Sequence, residues 1–325
     1  MGRIVPPPTE VDIFILALWE YSHNPTFMLY NCNRLQVLES VHVSLLVEDA
    51  ARGAGILGEH GLCWCLRVGG KQLLMDLGQG LVLERNAGRM SVDLAATDAV
   101  VFSHGHYDHV GGWEVAADAL ASAKVFLHPD ALEAKFQRRD DGRMVPAGLA
   151  SFSAAVQSAD VELVLSTEPC EVVSGIWMTG EVPRSNTIED TGGDFYCGAQ
   201  AADKDQLLDD QSLFFKTDQG IVVVLGCAHA GVVNTLHYIS QLAGERIHAV
   251  LGGMHLLHAS AERMSFTVDA LRRIAPDWLG PNHCTGDAAV AQLWHAFPAQ
   301  MLEMHAGQSY VFPIQNNDLM KGNDG

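Results

Sequence analysis

Positive charge is scarce in this chain. Its 325 residues hold 20 Lys and Arg against 39 Asp and Glu, a formal net charge of −19. A field of that sign repels phosphate backbones, so nucleic acid is not an expected partner. Long apolar runs are missing as well. No stretch approaches the ~18 residues that a membrane-spanning helix requires, and no membrane partner is expected. The short run "VDIFILALW" contains Asp12, has no basic flank and no clear cleavage site, so a signal peptide is not expected. Cysteine pairs at zinc-knuckle spacing are absent too. The seven cysteines (Cys32, Cys63, Cys65, Cys170, Cys197, Cys227 and Cys284) are odd in number and irregular in spacing. That pattern argues against a disulfide framework and fits a reducing cytoplasm, with most of the thiols buried. What the chain does have is an apolar fraction of 48%, enough for a full globular core.

Residues 1–36 read as an N-terminal extension, since "PPP" at 6–8 forbids helix and no periodic pattern emerges before "VHVSLLVE" at 41–48. The domain is expected over 37–316, with 317–325 a flexible tail. Strands are expected at 41–48, 62–68, 71–75, 98–102, 124–128, 161–166, 171–178, 212–217, 220–226, 247–251 and 308–312. Helices are expected at 80–88, 113–121, 130–136, 231–242, 261–274 and 286–296. Early strands come in adjacent pairs, as hairpins do, and later strands alternate with helices. The mixture indicates an α/β architecture of mixed sheets covered by helices. Residues 180–210, rich in Gly, Asp and Asn, read as a long functional loop.

The chemistry concentrates in "VFSHGHYDHVGG", residues 101–112, where a buried apolar strand runs into His104, His106, Asp108 and His109. Two residues apart on extended chain, His104 and His106 point the same way, and the adjoining glycines permit the bend that would bring in the others. Imidazole and carboxylate suit zinc, iron or manganese. Three further strand-to-helix turns carry His229, His255 and His283, the first with Cys227 and the last with Cys284. Ligands gather at the carboxyl ends of strands in open α/β sheets, so these turns can converge on one site.

"SHGHYDHVGG" matches the His-x-His-x-Asp-His signature of the metallo-β-lactamase superfamily, and "LLMDLGQG" at 73–80 resembles its first motif. "GCAHAG" and "NHCTG" resemble its later histidine motifs. With "GEHGL", "GGMHL" and "DDQSL", they look closest to a branch named for a methanopterin-pathway, dihydropteroate synthase-like enzyme. The resemblance covers about residues 40–312 and implies a four-layer αββα sandwich of two mixed sheets flanked by helices, with one or two metal ions at the sheet edges. It implies His104, His106 and His229 as ligands of a first ion and Asp108, His109 and His283 as ligands of a second. Where many members carry a bridging Asp, this chain has Cys227, which is either a further ligand or a neighbour supporting one. Asp76 is expected to orient the imidazoles, with His60 either in a similar role or purely structural. Arg184, the cation of the long acidic loop, is a candidate for a substrate carboxylate or phosphate, or for a plain ion pair.

These readings lead to metal-assisted hydrolysis as the expected function. Bound zinc, with iron or manganese as alternatives, lowers the pKa of its water to roughly 7. Asp108 would orient the attacking group, and His255 or Arg184 would steady developing negative charge. The expected substrate is a small anionic ester, lactone, thioester or phosphoester; the other partner considered is a second copy of the chain. The rival readings are a pterin-type transferase whose metals bind a diphosphate leaving group, a di-iron redox enzyme lacking its usual flavin domain, and a non-catalytic metal-binding or sensing protein.

Overall fold

A computed structural model describes residues 35–198 and 202–314. The extension and the tail read from the sequence lie almost wholly outside that range, as does Cys32. In chain order the strands are β1 (Val41–Val47), β2 (Cys63–Val68), β3 (Lys71–Met75), β4 (Ala99–Val101), β5 (Lys124–Leu127), β6 (Lys135–Arg138), β7 (Met144–Pro146), β8 (Leu163–Leu165) and β9 (Cys170–Val173). They continue with β10 (Ile176–Met178), β11 (Phe195–Cys197), β12 (Asp203–Lys204), β13 (Leu213–Thr217), β14 (Gly220–Val224), β15 (Ile247–Gly253), β16 (Trp278–Asn282) and β17 (Ser309–Phe312).

Two mixed sheets face each other. The seven-stranded one runs β17-β1-β2-β3-β4-β5-β8, and the six-stranded one β16-β15-β14-β13-β10-β9. The alternation of a strand's side chains divides the apolar residues between two layers. On β14, Val222 and Val224 enter the core between the sheets, while Ile221 and Val223 enter the core under helices Val232–Ala243, Ala261–Ile274 and Asp287–Ala296. On β3, Leu73 and Met75 face the inter-sheet core, and Leu74 faces the layer of Leu83, Trp113 and Phe152. The result is the expected four-layer αββα sandwich. β14, β15 and β16 are parallel, as are β3, β4, β5 and β8, so their carboxyl ends share one edge of each sheet.

Three local expectations are corrected. Residues 171–178 form a hairpin rather than one strand, because Ser174 and Gly175 (φ +80°) make a two-residue turn between β9 and β10. The expected helix at 130–136 is a 3-10 turn over Pro129–Leu132 followed by β6, which pairs with β11. Residues 180–210 are not purely loop: β11 and β12 join β6 and β7 in a third, antiparallel sheet of four strands. No helix among the described residues is long and apolar enough to cross a membrane.

Candidate metal centre

The shared edge carries the site. Asp76 follows β3, His104 to His109 follow β4, Cys227 and His229 follow β14, His255 follows β15, and His283 and Cys284 follow β16. Asp76, Ala228, His255 and His283 all have positive φ, between 46° and 61°, a conformation that costs a non-glycine residue of order 1–3 kcal/mol. The chain bends sharply here to turn these side chains inward. The loops approach closely: a Cβ on Gly226 would sit 2.4 Å from the Ser103 side chain, so only glycine lets the β14 end pass the motif loop.

Two triads result. His104, His106 and His229 offer ring nitrogens mutually within 4.8 Å, and beside them an Asp108 carboxylate oxygen and ring nitrogens of His109 and His283 lie within the same distance of one another. Asp108 Oδ2 is 3.7 Å from His109 Nε2 and 3.5 Å from His283 Nε2. Cys227 lies within the same reach of both His104 and His109, its Sγ 3.1 Å from His109 Nε2. It thus occupies the ground between the triads.

The tautomers are set by acceptors on the far side of each ring. His109 Nδ1 donates to Asp76 Oδ2 at 2.7 Å, His229 Nδ1 to the Thr191 carbonyl at 2.8 Å, and His283 Nδ1 to Asp49 Oδ1 at 2.8 Å. Ser103 Oγ donates to Asp76 Oδ2 and accepts from His104 Nδ1 at 2.9 Å. His104, His109 and His229 are each left with an Nε2 lone pair on the site side. Burial acts against an imidazolium at His283, but the Asp108 and Asp49 carboxylates prevail and raise its pKa, so His283 must give up its Nε2 proton to take an ion. Buried polar atoms ordinarily find partners, yet the Nε2 atoms of His229 and His283 make no hydrogen bond. Burial pushes the pKa of His104, His229 and His106 down, the last to about 3, so these imidazoles are neutral, as ligands must be. Burial acts to raise the Asp108 carboxyl, but the field of His109 and the contact with His283 prevail and hold it far below the usual range. The residues present therefore fit a divalent ion at each triad.

Asp49 was not singled out in the sequence. It lies two residues past β1 and accepts from His283 and, at 3.0 Å, from His60 Nδ1, whose Nε2 lies 3.3 Å from Asp108 Oδ2. Half-exposed, His60 stands at the mouth of the centre. His255 packs its ring 4.1 Å from that of His229 and leaves Nε2 without a partner. Arg184 donates to the carbonyls of Gln206 and Leu207, tying the long loop to itself.

Two more features escaped the sequence. Arg263 is buried and pairs through Nη1 with the exposed Asp190 at 2.5 Å, while its Nε and Nη2 have no partner. Asp190 also holds the N–H of Gly192, which packs against His255, so the guanidinium stands just behind that ring. Lys135 on β6, buried, bridges Asp205 and Asp209 at 3.0 Å each, and Asp209 accepts the Gly105 N–H between His104 and His106 at 2.8 Å. Of Arg263, Asp190, Lys135, Asp205 and Asp209, only Asp209 lies in a run quoted from the sequence, "DDQSL".

Two facing mixed sheets with paired triads of candidate ligands at their common edge define an αββα sandwich with a candidate metal centre. The chain belongs to the metallo-beta-lactamase superfamily, whose model matches residues 57–233. It is 30% identical to an uncharacterized protein of Methanocaldococcus jannaschii over 77% of this chain and 93% of that one. A second relative from that organism, 24% identical over 88% of this chain and its own whole length, is named 7,8-dihydropterin-6-methyl-4-(beta-D-ribofuranosyl)-aminobenzene-5'-phosphate synthase. Among solved structures, a metal-dependent hydrolase of the beta-lactamase superfamily superposes with a TM-score of 0.71 at 28% identity, over 83% of this chain and 98% of that one.

Proposed function

We propose that the protein is a metal-dependent hydrolase of a small anionic ester, lactone, thioester or phosphoester, using one or two zinc ions. One observation carries this reading: four imidazoles have Nδ1 committed to acceptors and Nε2 turned to a common, buried centre. Divalent ions bound at such a centre activate water at neutral pH and polarise a substrate oxygen.

The chain's own groups do the rest. His104, His106 and His229 would hold the first ion, and Asp108, His109 and His283 the second, with Cys227 between. Asp76 and Asp49 fix the ring orientations. His60, bonded to Asp49 and open to solvent, is placed to pass a proton between water and the Asp108 carboxylate edge. His255 would steady developing charge on the substrate, and Arg263 behind it would draw in the anionic end. The fold edge, closed to bulk water around the triads, strengthens each of these interactions.

A second reading, a pterin-type transferase, is supported by the full-length similarity to the named synthase. In that case the ions held by the triads would bind a diphosphate leaving group. Metal analysis of purified protein, with a screen of lactone, thioester, phosphoester and pterin diphosphate substrates, separates the two. Hydrolysis that stops on chelation and returns with zinc supports the first reading; arylamine-dependent turnover with no hydrolysis overturns it.

A further inference from the structure

Cys284 has no part in the ligand set described above, although it is placed for one. It follows His283 directly and is buried. Its sulfur, that of Cys227 and a ring nitrogen of His283 lie within 4.8 Å of one another. Its thiol contacts the Cys227 carbonyl oxygen at 3.5 Å, and it accepts the backbone N–H of His255. The pocket for this sulfur is made by Gly253 at the end of β15, where a Cβ would come within 2.6 Å of Cys284 Sγ and 3.2 Å of Cys227 Cα. A thiol that merely filled space would be surrounded by apolar side chains. This one has two residues of ligand type, Cys227 and His283, within reach, and Cys227 is in turn within reach of His109.

We propose that Cys284 is a second sulfur ligand of the second metal position, so that Cys227 and Cys284 together supply a dithiolate beside the nitrogen and carboxylate donors of Asp108, His109 and His283. The chemical class of ion follows. Two thiolates select zinc or another thiophilic divalent ion over magnesium, calcium or manganese, which prefer oxygen. Occupancy also becomes steeply pH-dependent, since each thiol gives its proton to solvent when the ion binds. The inference rests on the reading of this edge as a metal centre and adds the identity of its donors.

The test uses reduced, metal-free full-length protein titrated with cobalt(II), read by the near-ultraviolet sulfur-to-cobalt charge-transfer band. Wild type should take up cobalt and show the band. Cys227→Ser and Cys284→Ser should each reduce it to roughly half, and the double variant should lack it. A band in Cys284→Ser as intense as in wild type overturns the inference and leaves the metal centre standing. No cobalt uptake by wild type overturns both. Should Cys284→Ser fail to fold, X-ray absorption of the unaltered zinc protein decides. At one zinc per chain, two sulfurs around the zinc support the inference, and one or none refutes it.

Discussion

Asp76 Oδ2 accepts a 2.7 Å hydrogen bond from His109 Nδ1 where neither side chain touches solvent. The same carboxylate takes the Ser103 amide and hydroxyl, each at 2.7 Å, so one residue after β3 organises two of the imidazoles after β4. Replacing Asp76 by Ala leaves the His109 and Ser103 donors buried and unanswered. We expect a stability loss of about 3 kcal/mol and a metal affinity lowered ~10- to 100-fold. Chemical denaturation of the metal-free protein and competition with a zinc chelator measure the two separately.

Asp108 should behave differently. It sits on the site side of the motif turn and supports no core packing. Asp108→Ala is expected to keep the wild-type melting temperature within a few degrees while turnover falls by ~100-fold or more. Unchanged turnover at full metal loading would remove Asp108 from the chemistry.

Arg263 and Arg184 make opposite predictions. The unpartnered atoms of Arg263 behind His255 predict that Arg263→Met raises KM for an anionic ester about tenfold, with little change for a neutral ester of the same leaving group. Arg184→Met, which loses carbonyl contacts within the loop, should leave KM for both esters as it was. Steady-state kinetics on the matched ester pair check both.

Asp210 gives a pH-dependence. Burial raises its carboxyl to about 6, although it accepts the backbone N–H of Ala230. A folded pKa above the unfolded one means stability that is full below pH ~4 and lost as pH rises through about 6, amounting to about 3 kcal/mol by pH 7. Asp210→Asn should flatten that slope, measured by urea unfolding of metal-free protein between pH 4 and 7. A slope equal to that of wild type would refute the assignment.

The candidate site was legible where residues of ligand type sit at strand ends. His104, His106, Asp108 and His109 form one dense run, and His229 and His283 follow apolar strands whose period-two pattern places their ends. The sandwich was legible for the same reason. Asp49, Arg263 and Lys135 were not, because each acts through at least one partner more than 50 residues away and is an ordinary charged residue in its own neighbourhood. The third sheet was missed because its strands are two to four residues long, too short for alternation to register.

The Lys135 cluster has a thermodynamic consequence. Its ion pairs join the four-stranded sheet to Asp209, and Asp209 grips the peptide between two candidate ligand histidines, His104 and His106. Opening of that small sheet therefore loosens the first triad, and an ion that tightens the triad must by linkage hold the sheet closed. Amide hydrogen exchange in β6 and β11 should slow on addition of zinc even though no ligand lies on either strand. The accessory sheet would then report on the metal from a distance.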